Sequence, residues 1–218
     1  MKKREKIKAV VFDVGGVLSL GKNSIFKDGK IVFQRTRGVH SNVAKNLGIS
    51  LDQYFDSIDI TYALALEGRI SKYKVIQIIS RNLKISKEKL TKLYINSYKK
   101  NFIPNKQLFK RAFELKKLGY KIAVFSDQWY LSQEALMPKK TYNKFDEVLV
   151  SCEQGMRKPN PLFYKLLLKK LKLKPSEILL IDNQIWNVNA AKVLGLKTIL
   201  FKDNKSLFDN KKWGSLFL

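Results

Sequence analysis

The sequence predicts an α/β fold, a doubly wound parallel sheet interrupted by an inserted all-helical unit. Two patterns carry that expectation. Short, nearly continuous apolar runs recur and alternate with amphipathic helical stretches, as parallel strands covered on both faces require. Between residues 20 and 103 the alternation stops and helical periodicity dominates. The length, 218 residues, suits one core domain carrying a small insert.

"IKAVVF" (7–12) reads as a buried strand, and "YKIAVFS" (120–126), "EILLIDN" (177–183) and "KTILFKD" (197–203) read likewise. "DEVLVSC" (146–152) is a shorter strand. "NKQLFKRAFELKKLG" (105–119) has apolar residues at helical spacing and ends on Gly119. "NPLFYKLLLKKLKL" (160–173) does the same, with Pro161 suited to a first turn. "NVNAAKVLG" (187–195) is a shorter helix that stops at Gly195. Within the insert, "SNVAKNLG", "LDQYFDSIDITYALALEG", "SKYKVIQIISRNL" and "SKEKLTKLYINSYKKN" are amphipathic helices, preceded by a hairpin about Asp28-Gly29. The expected organisation is a Rossmann-like core of residues 1–19 and 104–218 with a helical insert over 20–103.

Hydrophobic residues are 45% and charged residues 28%, a soluble globular composition. No apolar run approaches the roughly 20 residues that span a bilayer, so no membrane partner is expected. The basic, then apolar, N-terminus superficially resembles a signal peptide, but Asp13 interrupts the apolar region and no small-residue cleavage site follows. One cysteine, Cys152, cannot form an internal disulfide, which fits a reducing cytoplasm. The formal net charge is +25. Lysines lie in every segment between apolar helix positions and outnumber arginines, which reads as a generally basic surface rather than a dedicated nucleic-acid face. Such a field steers small anionic substrates inward.

In open α/β sheets ligands bind outside the carboxyl ends of the strands. Four polar residues stand at such ends: Asp13 after "AVVF", Ser126 after "IAVF", Asp182 after "EILLI", and Lys158 in "GMRKPNP" after the short strand. Together they supply a carboxylate nucleophile, a hydroxyl, an ammonium and a second carboxylate, a set suited to phosphoryl transfer. Asp13 and Asp182 are candidate Mg2+ ligands, because Mg2+ prefers oxygen donors. Gly15 and Gly16 let the backbone turn and approach a ligand closely, so peptide N–H groups can face a phosphoryl group. Asp127, beside Ser126, is a further phosphate-site candidate or the cap of the next helix. Asn187 is read as a helix cap and His40 as a surface or packing residue. Trp129 and Trp186 wall the crevice or serve as ordinary packing.

These segments resemble the haloacid dehalogenase superfamily, in the subgroup with a helical cap after the first strand, and its small bacterial sugar-phosphate phosphatases in particular. "VVFDVGGVL" and "AVFSDQ" are similar to the first and second motifs. "GMRKPNPLFYKLLL" and "LLIDNQIWNVNAAKVLGLKTILF" are similar to the third and fourth, and "LEGRIS" to a cap segment. The resemblance implies an Mg2+-dependent phosphatase working through an aspartyl phosphate, with Asp13 as nucleophile and metal ligand. It assigns phosphate binding to Ser126 and Lys158, and a metal site to Asp13, the Gly15 position, Asp182 and Asn183. Two positions depart from the pattern. The acid usually found two residues after the nucleophile is Gly15, and the second acid of the fourth motif is Asn183. These losses leave room for two alternatives: a non-catalytic binding protein on the same scaffold, and a hydrolase of halogenated acids.

Overall fold

The computed structural model describes residues 6–22, 25–27, 30–32 and 38–217. Strand β1 (Ala9–Phe12) leads into β2 (Ser19–Gly21), β3 (Ile25–Lys27) and β4 (Lys30–Val32). Four helices follow: α1 (Val39–Leu47), α2 (Leu51–Leu66), α3 (Lys72–Asn82) and α4 (Lys87–Asn101). The chain then forms β5 (Phe102–Pro104), α5 (Lys106–Lys117), β6 (Lys121–Ser126), α6 (Tyr130–Leu136), α7 (Lys139–Tyr142), β7 (Glu147–Val150), α8 (Ser151–Gln154) and α9 (Pro161–Leu171). It ends with β8 (Ile178–Asp182), α10 (Ile185–Val193), β9 (Lys197–Leu200), α11 (Asn204–Phe208) and α12 (Lys211–Gly214).

The main sheet has five strands in the order β7-β6-β1-β8-β9, and every neighbouring pair is parallel. This is the expected α/β architecture with a helical insertion. The period of two along each strand divides the core. Val10, Phe12, Ile122, Val124, Leu179 and Ile181 pack on one face against Leu108, Ala112 and Leu115 of α5. Ala9, Val11, Ala123, Phe125, Ile178 and Leu180 pack on the other against Phe163, Tyr164 and Leu167 of α9. Both faces are covered, which explains the unbroken apolar runs. The first turn of α9 carries Pro161, and the Asn160 side chain caps it by accepting from Leu162 N–H.

Serine caps mark the insertion. Ser50, Ser71 and Ser86 each accept from a backbone N–H in the first turn of α2, α3 and α4. Strands β3 and β4 pair antiparallel on either side of the expected turn, while Asp28 and Gly29 lie outside the described residues. The sequence pattern missed two features. Strands β2 and β5, the entry to and exit from the insertion, pair antiparallel, Ser19 with Pro104 and Gly21 with Phe102. Residues 128–145 contribute α6 and α7, and Trp129 and Leu131 are built into the apolar core of the insertion.

That core has a polar aromatic centre. His40 Nδ1 lies 2.8 Å from Tyr54 Oη, which also contacts Tyr94 Oη, and Trp129 Nε1 donates to Tyr98 Oη at 2.8 Å. His40 packs on the rings of Tyr54, Phe55 and Tyr62, in keeping with a packing role. Burial pushes its imidazole down to about 4, with Asp59 opposing. The unfolded chain takes up this proton near the ordinary value, so the stability gained by burying the neutral ring is complete above about pH 6.5 and is lost as pH falls towards 4. Between pH 7.5 and pH 5 the difference in urea unfolding free energy between wild type and His40→Phe should therefore fall by about 1–2 kcal/mol, the partial exposure of the ring holding it below the full shift. The subtraction removes Asp13, which titrates in the same window with the opposite sign. A difference that stays constant with pH would assign the dependence to another group.

Candidate active site

Strand ends deliver the site. Asp13 follows β1, Ser126 and Asp182 are the last residues of β6 and β8, and Lys158 reaches in from the loop before α9. The register sets β6 and β8 on either side of β1, so three of the tips are neighbours. Asp13, Ser126, Lys158 and Asp182 are all buried, with Ser126 and Asp182 at 0% exposure.

Lys158 is the hub. Its Nζ lies 3.1 Å from Asp13 Oδ1, 2.6 Å from Asp182 Oδ2 and 3.1 Å from the carbonyl oxygen of Phe125. An ammonium has three N–H bonds, and each has an acceptor here. Burial works against its charge, but Asp13, Asp182 and Asp127 outweigh that and hold it above the ordinary lysine range. Burial also pushes the Asp13 carboxyl up to about 6, opposed by Lys158 and by the Ser126 hydroxyl. Ser126 Oγ accepts from Gln128 Nε2 at 3.0 Å and from Val14 N–H at 3.4 Å, which fixes it under the tip of β1. Asp127 does not cap a helix: its Oδ1 accepts from the backbone N–H of Lys158 at 3.0 Å and steadies that loop.

Asp182, expected as a metal ligand, is densely hydrogen-bonded. Its Oδ1 accepts from Gln184 N–H, its Oδ2 from Lys158, and Asn187 Nδ2 reaches both oxygens at 3.3 and 3.1 Å. The expected cap at Asn187 is corrected, because it lies inside α10 and serves this carboxylate. Tyr164 Oη donates to the Asn187 carbonyl at 2.9 Å and holds the turn in place. Two buried amide oxygens here lack hydrogen-bond partners among the described residues, Asn187 Oδ1 and Asn183 Oδ1. Gly16 lets Asn183 sit there: φ is +82°, and an added Cβ would stand 2.3 Å from Asn183 Nδ2. Gly15 has space, the nearest atom to an added Cβ being Gln128 Nε2 at 4.0 Å.

Among the described residues no three His, Cys, Asp or Glu side chains are grouped to hold a metal. The donors available to a cation are all oxygens: the Asp13 and Asp182 carboxylates, backbone carbonyls such as that of Gly15, and the unpartnered Asn183 Oδ1. An all-oxygen set with a buried, unmatched acceptor fits Mg2+, which keeps several of its waters. Trp129 is fully buried and packs on Tyr62 and Tyr94, so it is packing rather than a crevice wall, while Trp186 is 57% exposed. The residues that sequence reasoning missed are Gln128 and the carboxylate role of Asn187. An asparagine on the buried side of a short helix was the available signal for the latter.

A family model for haloacid dehalogenase-like hydrolases matches residues 7–195. The chain belongs to that family. This haloacid dehalogenase-like hydrolase is 33% identical over 107 residues to rat bifunctional epoxide hydrolase 2, covering 47% of the chain and 19% of the rat protein. It is 31% identical over 98 residues to a glyceraldehyde 3-phosphate phosphatase of Pyrococcus furiosus, covering 44% of the chain and 41% of that protein. The chain thus spans less than half the length of these relatives. A haloacid dehalogenase family enzyme of Bacteroides thetaiotaomicron, solved with magnesium and inorganic phosphate, shares the fold. Its TM-score is 0.67 at 19% identity, over 93% of this chain and 99% of that one.

Proposed function

We propose that this hydrolase is an Mg2+-dependent phosphatase of small phosphorylated metabolites. The observation that carries the reading is Lys158, whose one ammonium joins two buried carboxylates from separate strands beside an anchored hydroxyl. The phosphatase among the relatives, and the neighbour solved with magnesium and phosphate, support it. In this reading an Asp13 oxygen attacks phosphorus, and the bond to the leaving oxygen breaks with its electron pair. The Ser126 hydroxyl donates to a phosphoryl oxygen, and the Lys158 ammonium, held in place by Asp182, offsets the charge that builds beside Asp13. The leaving oxygen takes a proton from solvent water. A second water then attacks phosphorus, the bond to Asp13 breaks, its carboxylate returns, and the surplus proton of the attacking water passes to solvent. Asp182 does not attack; it positions Lys158, itself oriented by Asn187. Asp13, the Gly15 carbonyl, Asp182 and Asn183 would hold Mg2+, which supplies screening between the attacking carboxylate and the anionic substrate. The helical insertion acts as a cap that closes over the crevice and excludes water.

Phosphate release from p-nitrophenyl phosphate, with Mg2+ and again with chelator, tests the reading. Absence of turnover in both would favour the binding-protein alternative, which Gly15 and Asn183 keep open. The amide at 183 sets a further expectation. Asn183→Asp should tighten Mg2+ binding by about tenfold, read by calorimetry without substrate, because a charged ligand replaces a neutral one. Unchanged affinity would move the metal away from residue 183. Among the described residues no helix is long and apolar enough to cross a membrane.

A further inference from the structure

The insertion and the core meet at a cavity of about 430 Å³ whose lining, Lys158 apart, takes no part in the chemistry above. One wall is the turn after α2, with Glu67 and Arg69; the other is the loop ahead of α9, with Arg157 and Lys158. Gly68 sets how closely the walls approach. Its φ is +68°, and an added Cβ would stand 2.4 Å from the carbonyl oxygen of Cys152, so the turn rests on the backbone of α8.

Glu67 faces two guanidiniums at once. Arg69 Nη1 is 3.4 Å from its Oε2, and Arg157 Nε is 3.7 Å from its Oε1. Both separations exceed the roughly 2.7–2.9 Å of a well-made charge-assisted hydrogen bond. Glu67 is the one carboxylate within ion-pair distance of the two guanidiniums among the described residues, and Asp127 acts on Arg157 only from farther away. Lys158 adds no unmatched positive charge, since Asp13 and Asp182 take up its ammonium. It does connect the two places, because the residue that lines the cavity also touches the proposed nucleophile. Guanidinium forks fit carboxylate and phosphate oxygens in pairs, and the volume is that of a small-ligand pocket.

We infer that this cavity is a second oxyanion subsite, in which Arg69 and Arg157 receive a carboxylate or a second phosphate of the substrate. The preferred substrates are then phosphorylated acids or bisphosphates rather than phosphates with neutral tails. The inference rests on the phosphatase reading and names the substrate class for that site.

Matched pairs test it: phosphoglycolate against 2-hydroxyethyl phosphate, 3-phosphoglycerate against glycerol 3-phosphate, 6-phosphogluconate against sorbitol 6-phosphate, and fructose 1,6-bisphosphate against fructose 6-phosphate. At least one pair should favour the doubly anionic member by about tenfold or more in kcat/KM, mostly through KM. The pair concerned shows whether carboxylate or phosphate is the natural occupant. In Arg69→Gln/Arg157→Gln, with folding checked by circular dichroism, that ratio should collapse towards one, and in Glu67→Gln it should rise. Turnover of p-nitrophenyl phosphate with no preference in any pair overturns the subsite and leaves the phosphatase reading standing. A preference that survives the double variant overturns it too. No turnover of any phosphate ester overturns both.

Discussion

Replacing Asp13 with asparagine should abolish phosphate release, by about 10^3-fold or more, since removing a nucleophile removes the whole covalent route. The fold should survive. Asparagine has nearly the shape of aspartate, and Lys158 keeps its 2.6 Å contact with Asp182 and its bond to the Phe125 carbonyl. The measurement is steady-state turnover of p-nitrophenyl phosphate beside a thermal unfolding curve. Loss of activity with cooperative unfolding near the wild-type midpoint is the expected pair. Residual turnover within tenfold of wild type would remove Asp13 from the chemistry and demand another nucleophile.

Lys158→Met should unfold the protein at much lower temperature as well as silence it. The wild-type ammonium has 1% side-chain exposure and sits between carboxylates that are 9% and 0% exposed. Without it, two buried acids face each other with no counter-charge. Breaking a buried ion pair on one side costs about 3–5 kcal/mol. For a chain of this size that is a fall of about 10 °C in the unfolding midpoint. The loss should depend on pH. It should shrink in acid, where Asp13, whose carboxyl burial already pushes up, can take up a proton instead of standing charged in the interior. Adding Asp182→Asn to Lys158→Met should recover part of the midpoint. A midpoint within about 2 °C of wild type for Lys158→Met alone would show that water or another cation replaces the ammonium.

The strands and their polar ends were legible because each buried run stops abruptly on a residue that buries badly. Asp13 after "AVVF" and Asp182 after "EILLI" gain nothing from a core unless something meets them there. Parallel pairing then put their tips side by side. What the pattern could not give was the direction of each side chain once there. Asp182 and Asn183 are adjacent in sequence, yet the first is enclosed by Gln184, Asn187 and Lys158 while the second keeps an unmatched oxygen. Sequence alone names both as oxygen donors and cannot show this difference in their hydrogen bonding. The ribbon of β2 and β5 was equally hidden, because three-residue strands are too short to show a period. Trp129 looked like a crevice residue from its place beside Ser126 and Asp127, but burying an indole against Tyr62 and Tyr94 was the stronger pull.

The position of β1 has a consequence for how the chain assembles. The first strand lies in the middle of the sheet, and its hydrogen-bonding partners come far downstream: Ala9 pairs with Lys121 on one side and Ile178 on the other. One edge of β1 stays open until Lys121 and the residues after it are in place, and the other until Ile178 and those after it. Closing such long loops delays native pairing, so refolding from urea should be slow compared with a helical protein of equal length. During that delay an exposed apolar edge invites association between chains.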